Sequence, residues 1–273
     1  MSATYYHLLG RVVLAVHAGH GQLDVREALS KAGLTKDVVE RGRKLAEEGE
    51  ALITRRLEEQ GEDRTVEHGL HAAVDELEMW AQTARFRLKA AVTDTALLEQ
   101  VFDKHLHAHE HTLTAIARAL RILSMIRASK EIQEALGDVR ATHDLLVRGW
   151  TLLKKVLKYT DMRLGPAPAS DKDGAVFKDL ARHSLSMESW LEGVATSAKK
   201  LSDKPILLGL VGYIPEGVGL PLGGGSFAVV LHEQARRTPP DPTDARATSG
   251  WSIGRQGRNR ENLGKGFVEP TFE

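Results

Sequence analysis

Apolar residues recur at intervals of three and four along the chain up to Asp203, which is the spacing that one face of an α-helix produces. Two stripes run from Leu98 to Leu123 and from Ile132 to Leu157. The clearest stripe precedes them and consists of Val66, Leu70, Ala73, Leu77, Trp80, Ala84, Leu88 and Ala91. Long stripes joined by short turns are typical of antiparallel neighbours in a helical bundle. We therefore expect long helices in the middle of the protein.

Capping and breaking residues place further helices on either side of these stripes. Two short helices, Ala3 to Ala18 and Leu23 to Ala32, are bounded by glycines, and Thr35 is positioned to cap a third that runs to Gln60. A last helix is expected over residues 174–202. The predicted fold class is all-α, with an elongated antiparallel helical bundle over residues 1–203.

Glycine occupies two positions in the apolar stripe of the helix that ends at Gln60. Gly42 and Gly49 lie seven residues apart and therefore share one face of that helix. Glycine in a helix interior costs roughly 1 kcal/mol relative to alanine. A neighbouring helix that crosses closely at this face would offset the cost, and we expect such a crossing.

The chain changes character after the last predicted helix. Residues 204–234 are rich in glycine and carry two apolar runs, 206–214 and 227–232, on either side of a Gly/Pro loop. This arrangement predicts a small apolar β-hairpin. Residues 235–273 contain few apolar side chains and predict a polar, extended tail.

Composition narrows the possible partners. The 37 basic residues equal the 37 acidic ones, so no overall field attracts nucleic acid or an anionic membrane surface. The chain has no cysteine, which excludes disulfides and thiolate chemistry and fits a cytoplasmic protein. The apolar segment at 8–16 lacks the features of a signal peptide, because Arg11 interrupts it and no basic segment precedes it. We expect a cytoplasmic protein that does not bind nucleic acid.

Histidines occupy every second position between His105 and His111. On a continuous helix, His105 and His109 would share one face at the i, i+4 spacing that chelates metal ions. An antiparallel pairing about the turn at 93–94 would bring His109 close to Glu76 and Glu78. Facing carboxylates and imidazoles form the metal sites of ferritin-like bundles, although the Glu-x-x-His spacing of those sites is absent. A metal ion held by His105, His109, Glu76 and Glu78 is therefore one alternative function, and no other cofactor is indicated.

Motifs of common enzymes and nucleotide-binding proteins are missing from the sequence. It contains neither Gly-x-Ser-x-Gly nor His-Glu-x-x-His. The glycine-rich loop at 217–225 lacks the lysine and the following helix of a phosphate-binding loop. We expect no enzymatic activity and no catalytic residues.

The predicted hairpin and tail have no partner inside the bundle, and an isolated hairpin is only marginally stable in water. An exposed hairpin edge is suited to pairing with another chain. The principal hypothesis is a non-enzymatic structural protein that assembles into a homo-oligomer or larger complex. The expected partner-contact residues are Leu207, Leu208, Leu210, Val211, Tyr213, Ile214, Phe227, Val229, Val230, Trp251, Phe267 and Phe272.

A second alternative rests on the apolar character of the hairpin. Only Glu216 is charged between Pro205 and Leu231. A helical bundle with an apolar tongue resembles, in architecture alone, the α-pore-forming toxins, whose tongue swings into lipid. In those proteins the tongue lies between long helices, whereas no helical pattern follows this one. Membrane insertion is therefore a less favoured alternative than assembly.

Overall fold

The structure, a computed structural model, describes residues 3–21, 23–61, 63–102, 105–106, 108–165, 174–201 and 204–213. These residues form α1 Ala3–Gly19, α2 Leu23–Ala32, α3 Lys36–Gln60, α4 Arg64–Ala91, α5 Thr95–Val101, α6 His111–Ala128, α7 Lys130–Leu136, α8 Val139–Leu164, α9 Ala175–Lys199 and α10 Pro205–Leu210. Over this part of the chain the fold is all-α and contains no strand, so the all-α part of the predicted fold class is confirmed.

Two helices, α1 and α6, lie at the centre of the bundle and are buried on nearly every side. They pack directly against each other: a Cβ atom built on Gly10 of α1 would lie 2.8 Å from Cγ2 of Ile116 on α6. A helix that is apolar all round needs neighbours all round, and α1 is surrounded by α3, α6, α8 and α9. The short helix predicted from Ala3 to Ala18 is confirmed as α1, and it lies in the core.

The predicted close crossing at the glycines of α3 is also confirmed. A Cβ atom on Gly42 would lie 2.3 Å from Cζ2 of Trp190 on α9 and 2.7 Å from Cγ2 of Val16 on α1. A Cβ atom on Gly49 would lie 2.7 Å from Cδ1 of Leu9. Atoms in contact normally stay about 3.5–4.0 Å apart, so only glycine lets α1 and α9 approach α3 this closely.

The helices α4 and α8 form an antiparallel pair. Trp80 donates a hydrogen bond from Nε1 to the carbonyl oxygen of Leu145 at 3.0 Å, and its ring lies over Gly149. Four residues before Trp80 on α4, Glu76 pairs with α8: Nζ of Lys155 lies 2.8 Å from both of its carboxylate oxygens. Residue numbers rise along α4 as they fall along α8, which is the direction expected for a bundle with short connections.

The long helix predicted from the stripe at 98–123 is wrong, because α5 ends at Val101 and α6 begins only at His111. Side chains form hydrogen bonds with the backbone of Ala108 and His109 in the connection between α5 and α6. Oγ1 of Thr114 accepts from the Ala108 amide at 2.9 Å and donates to the Ala108 carbonyl at 3.1 Å. The His109 amide donates to Glu50 at 3.1 Å. Polar groups that find such partners need no helix to satisfy them.

The next stripe is also divided, at Gly137 between α7 and α8. Gly137 has a φ of 68°, a left-handed conformation that glycine adopts easily. Asp138 then caps α8 by accepting hydrogen bonds from the Arg140 and Ala141 amides. This break rotates the buried face, so that Val139, a predicted stripe residue, is 66% exposed.

The first strand of the predicted hairpin is wrong over Pro205–Leu210, which forms α10. Proline at the first turn of a helix is favourable, because its fixed φ suits the helix and its missing N–H has no partner there. α10 packs against α6 and α1. Residues 214–234 of the predicted hairpin, together with the tail at 235–273, lie outside the described residues.

Candidate functional site

The predicted metal ligands on α4 point away from each other. Glu76 and Glu78 are two residues apart, which places them on different sides of a helix. Glu76 pairs with Lys155 of α8. Glu78 faces α6, where its Oε1 atom lies 3.8 Å from Nε2 of His111. The proposed pair of carboxylates therefore cannot act on one ion, and the histidine beside Glu78 is His111 rather than His109.

The two predicted histidine ligands, His105 and His109, lie in the connection between α5 and α6. Their i, i+4 spacing therefore does not place them on one face of a helix. His109 and His105 are both exposed. His109 contacts Glu50 through its backbone amide. In the described part of the chain, histidine and acidic side chains do not form a group of three or more that could hold a metal ion.

The predicted partner-contact residues in 207–213 are placed mostly in the core of their own chain. Leu208, Leu210 and Val211 are each at most 3% exposed. Oγ of Ser124 on α6 donates a hydrogen bond to the Gly209 carbonyl at 2.7 Å. Only Leu207 and Tyr213 of this group are partly exposed, and Ile214, Phe227, Val229, Val230, Trp251, Phe267 and Phe272 lie outside the described residues. The assignment of Leu208, Leu210 and Val211 to a partner contact is corrected accordingly.

A partly buried ionic network joins the connection between α5 and α6 to three other helices. Tyr6 of α1 donates to Oε1 of Glu110 at 3.0 Å, and Arg163 of α8 bridges Glu110 and Glu67. Burial raises the pKa of the Glu110 carboxyl, and the neighbouring guanidinium opposes that rise. The network fixes the start of α6, and its members do not line either cavity described below.

A second buried group links α1, α3 and α9. The Tyr5 hydroxyl lies 3.1 Å from Nδ1 of His183 and donates to the Gly49 carbonyl at 3.3 Å. Burial lowers the pKa of His183 and raises that of Tyr5. A tyrosine beside a histidine is a possible proton path, but Tyr5 is 1% exposed and no described cavity reaches it. These residues hold three helices together.

A cavity of about 780 Å³ lies between the end of α1, the last turns of α4, α5 and the middle of α6. We call it the cationic cleft. Its described lining residues are His17, Ala18, His20, Gly21, Val25, Arg85, Lys89, Thr95, Leu98, Glu99, Gln100, Phe102, His105, Arg121 and Leu210. Its volume lies within the range of about 300–1,000 Å³ that is usual for small-molecule sites.

Positive charge dominates the described lining of the cationic cleft. Arg85 and Lys89 are one turn apart on α4, and Arg121 comes from α6 on the opposite wall. Lys89, in the last turn of α4, also stabilises the negative end of the helix dipole. The guanidinium of Arg85 lies over the ring of Phe102, 5.8 Å from its centroid. This contact orients the arginine and leaves the ring as an apolar wall.

A smaller cavity of about 270 Å³ adjoins the cationic cleft, and Arg85, Phe102 and Arg121 line both. It adds Arg118 from α6 and Glu78 from α4. The sequence carries a signal for this site, because the basic residues recur at helical spacing, i, i+4 on α4 and i, i+3 on α6. The net charge of the whole chain does not reveal this cluster of basic residues, because the basic and acidic residues are equal in number.

None of the helices in the described part of the chain combines the length and the apolar character that crossing a bilayer requires. Comparisons of the chain with protein families, with curated proteins and with solved structures find no match.

Proposed function

We propose that this chain is a non-enzymatic structural protein that assembles with further copies of itself through the segment after Tyr213. The observation that carries the proposal is the position of α10. It fastens the chain to α6 and α1 through Leu208, Leu210 and Val211. The following residues are thereby tied to the bundle at a fixed point, which an assembly arm requires.

The sequence after Tyr213 has the chemistry of a contact segment. It contains separated apolar residues, among them Phe227, Trp251 and Phe267, in a stretch that is otherwise rich in glycine, proline and charge. So few large apolar side chains cannot bury enough surface to form a core of their own. Aromatic residues are also the commonest anchors of protein interfaces.

Insertion of residues 205–231 into a membrane is supported less well than assembly. Insertion would strip Leu208, Leu210 and Val211 from the core. Exposing a buried leucine or valine costs about 1.5–3 kcal/mol, so the three together oppose the movement by about 5–9 kcal/mol before lipid contacts compensate. Contact with a second copy leaves α10 in place.

Two truncations test the proposal. The full chain and a chain that ends at Tyr213 are compared by size-exclusion chromatography with light scattering over a range of concentrations. We expect the full chain to form a defined oligomer and the shortened chain to be a monomer with an unchanged circular dichroism spectrum. A chain that ends at Asp203 lacks α10 as well, so we expect it to be several kcal/mol less stable.

Point variants separate specific contacts from a general effect of the segment. The triple variant Trp251→Ala, Phe267→Ala, Phe272→Ala should weaken assembly, whereas the matched control Gln256→Ala, Asn259→Ala, Asn262→Ala should not. A full chain that stays monomeric at every concentration would overturn the proposal, as would an oligomer that survives removal of residues 214–273. Release of dye from liposomes by the full chain alone would favour membrane insertion instead.

A further inference from the structure

Two large apolar side chains lie on the side of α4 that faces away from the core. Phe86 is 73% exposed and Met79 is 67% exposed, although the outer side of an amphipathic helix is normally polar. They are seven residues apart, so they lie on one side of the helix, two turns from each other. We call this side the outer face of α4, and its residues are Ala72, Asp75, Glu76, Met79, Gln82, Thr83, Phe86, Arg87, Lys89 and Ala90, all of them exposed.

The residues around Met79 and Phe86 leave room for another helix to approach. Thr83 lies between them, and its Oγ1 donates to the Met79 carbonyl at 2.9 Å. A second helix can therefore cover this hydroxyl without leaving its donor unsatisfied. Ala72 and Ala90, towards the two ends of the outer face, are small as well. Large apolar residues at a spacing of seven are typical of the seam between two packed helices.

The charge on the outer face changes sign along the helix. Asp75 and Glu76 lie in its first half, whereas Arg87 and Lys89 lie in its second half. A second α4 that runs in the antiparallel direction would place its basic half beside the acidic half of the first. A parallel α4 would place like charges side by side, which is unfavourable. The outer face is therefore complementary to itself in the antiparallel direction.

We propose that the outer face of α4 is a contact surface for a second copy of this chain, whose own α4 packs on it antiparallel, with Met79 of each copy against Phe86 of the other. This contact rests on the assembly proposed above and adds a second contact to it. A stable interface takes roughly 20–30 residues from each partner, and one side of a helix of 28 residues offers fewer. The contact therefore forms between copies that the segment after Tyr213 already holds together, where their effective concentration is high. A chain that ends at Tyr213 stays monomeric for the same reason.

Cysteine cross-linking of the full chain tests the direction of the contact, because the chain has no cysteine of its own. Thr83 lies close to the midpoint between Met79 and Phe86, so an antiparallel pair brings it near Thr83 of the second copy. Ala72 and its counterpart would be about 30 Å apart. With a short bismaleimide reagent, we expect Thr83→Cys to form a covalent dimer and the matched control Ala72→Cys to form almost none. Equal cross-linking of the two variants would indicate a parallel contact and would overturn the inference.

Charge reversal tests the pairing across the contact. Asp75 is chosen from the acidic half, because Glu76 pairs with Lys155 of its own chain. Lys89→Glu should raise the concentration at which the oligomer dissociates by about ten-fold, since it opposes two negative charges, and adding Asp75→Lys should restore the original value. Lys44→Glu reverses an exposed lysine on α3 and should have little effect. Failure of Asp75→Lys to rescue Lys89→Glu would contradict the assigned pairing.

Removal of an exposed aromatic ring tests the apolar part of the contact. Phe86→Ser should raise the concentration at which the oligomer dissociates by about ten-fold or more, because each copy loses a buried aromatic side chain. Leu185→Ser on α9 is the matched control, since Leu185 is also 67% exposed but lies on another helix. Both variants should keep the Tm of the chain that ends at Tyr213, because neither side chain belongs to the core. Equal effects of the two variants on the oligomer would contradict the contact.

These experiments separate a failure of the α4 contact from a failure of the assembly. A full chain that is monomeric at every concentration removes both. An oligomer of the full chain in which Thr83→Cys does not cross-link removes the α4 contact alone. If Phe86→Ser weakens such an oligomer although Thr83→Cys does not cross-link, the segment after Tyr213 covers the outer face instead of a second α4, which also overturns the inference.

Discussion

Replacing Gly42 with alanine should push apart the helices that meet at α3. A Cβ atom at this position would lie 2.3 Å from Cζ2 of Trp190 and 2.7 Å from Cγ2 of Val16. The indole of Trp190 cannot turn away freely, because its Nε1 donates to the Val38 carbonyl at 3.0 Å. The added methyl group must therefore separate α3 from α9 or break this hydrogen bond.

Three contributions set the size of the effect of Gly42→Ala. Forcing an extra methyl group into a packed core costs about 1–3 kcal/mol. Loss of the hydrogen bond between Trp190 and Val38 costs about 1 kcal/mol. Alanine is favoured over glycine in a helix by about 1 kcal/mol. The free energy of unfolding should therefore fall by about 1–3 kcal/mol, with a drop in Tm of about 2–12 °C for a domain of this size.

Urea unfolding followed by far-UV circular dichroism measures the loss. Gly193→Ala on α9 is the matched control, because a Cβ atom there would meet nothing within 4 Å. We expect that variant to be more stable by up to about 1 kcal/mol. In the double variant Gly42→Ala, Trp190→Phe the smaller ring should make room for the added methyl group. Its loss of stability should therefore be smaller than the sum of the losses in the two single variants. If Gly42→Ala is as stable as the unmodified protein, the close packing of α3 is refuted.

Two further predictions concern acid stability and helix capping. Burial lowers the pKa of His7 to about 3, whereas a histidine in an unfolded chain has a pKa of about 6.5. Between pH 3 and 6.5 the unfolded state therefore binds more protons than the folded state, and the free energy of unfolding decreases as the pH falls. His7→Leu should therefore reduce the slope of unfolding free energy between pH 4 and 6 by about 1.4 kcal/mol per pH unit, and an unchanged slope in urea titrations would contradict the assigned burial. Asp138→Ala should lower the free energy of unfolding by about 1 kcal/mol, because Asp138 caps α8. Thr35→Ala is the control and should lower it little, because Thr35 makes no side-chain capping bond to α3. Equal shifts in Tm for the two variants would show that the capping geometry is wrong.

The helices that could be predicted from the sequence are those whose periodicity directly reflects burial. In α4, every residue of the predicted stripe from Val66 to Leu88 is buried, because an amphipathic helix on a core has one face to bury. The glycines of α3 were informative for a related reason. Their cost in a helix is tolerated where a neighbour needs the space, and Trp190 occupies it.

The connection between α5 and α6 could not be predicted in this way. Leu106 continues the helical stripe and is indeed buried at 1% exposure, so burial gives no hint that the helix has stopped. The residues that stabilise the irregular backbone, Glu50 and Arg163, are far away in sequence. Tertiary contacts here override local propensity. At Gly137 and Asp138, by contrast, a glycine followed by a capping residue was a local signal of the break.

The cationic cleft could be predicted only in part. Helical spacing places Arg85 beside Lys89, but nothing in the sequence indicates that Arg121 lies across from them. Their proximity depends on α6 starting at His111, and therefore on the break that the stripe concealed. The same break removes the helical spacing that the metal-site prediction assumed, since His105 and His109 do not lie on a described helix.

The central position of α1 has a consequence for synthesis on the ribosome. α1 precedes every helix that buries it, and the last of the described neighbours along the chain is the segment of α10: a Cβ atom on Gly212, just after α10, would lie 3.0 Å from Cδ2 of Leu14. At about 5–20 residues per second, translation of the intervening chain takes roughly 10–40 s. During that time the apolar surface of α1 has no complete set of partners, and the nascent chain must be protected by chaperones or by transient contacts. A chain that stops before α10 would leave the part of that surface around Leu14 uncovered.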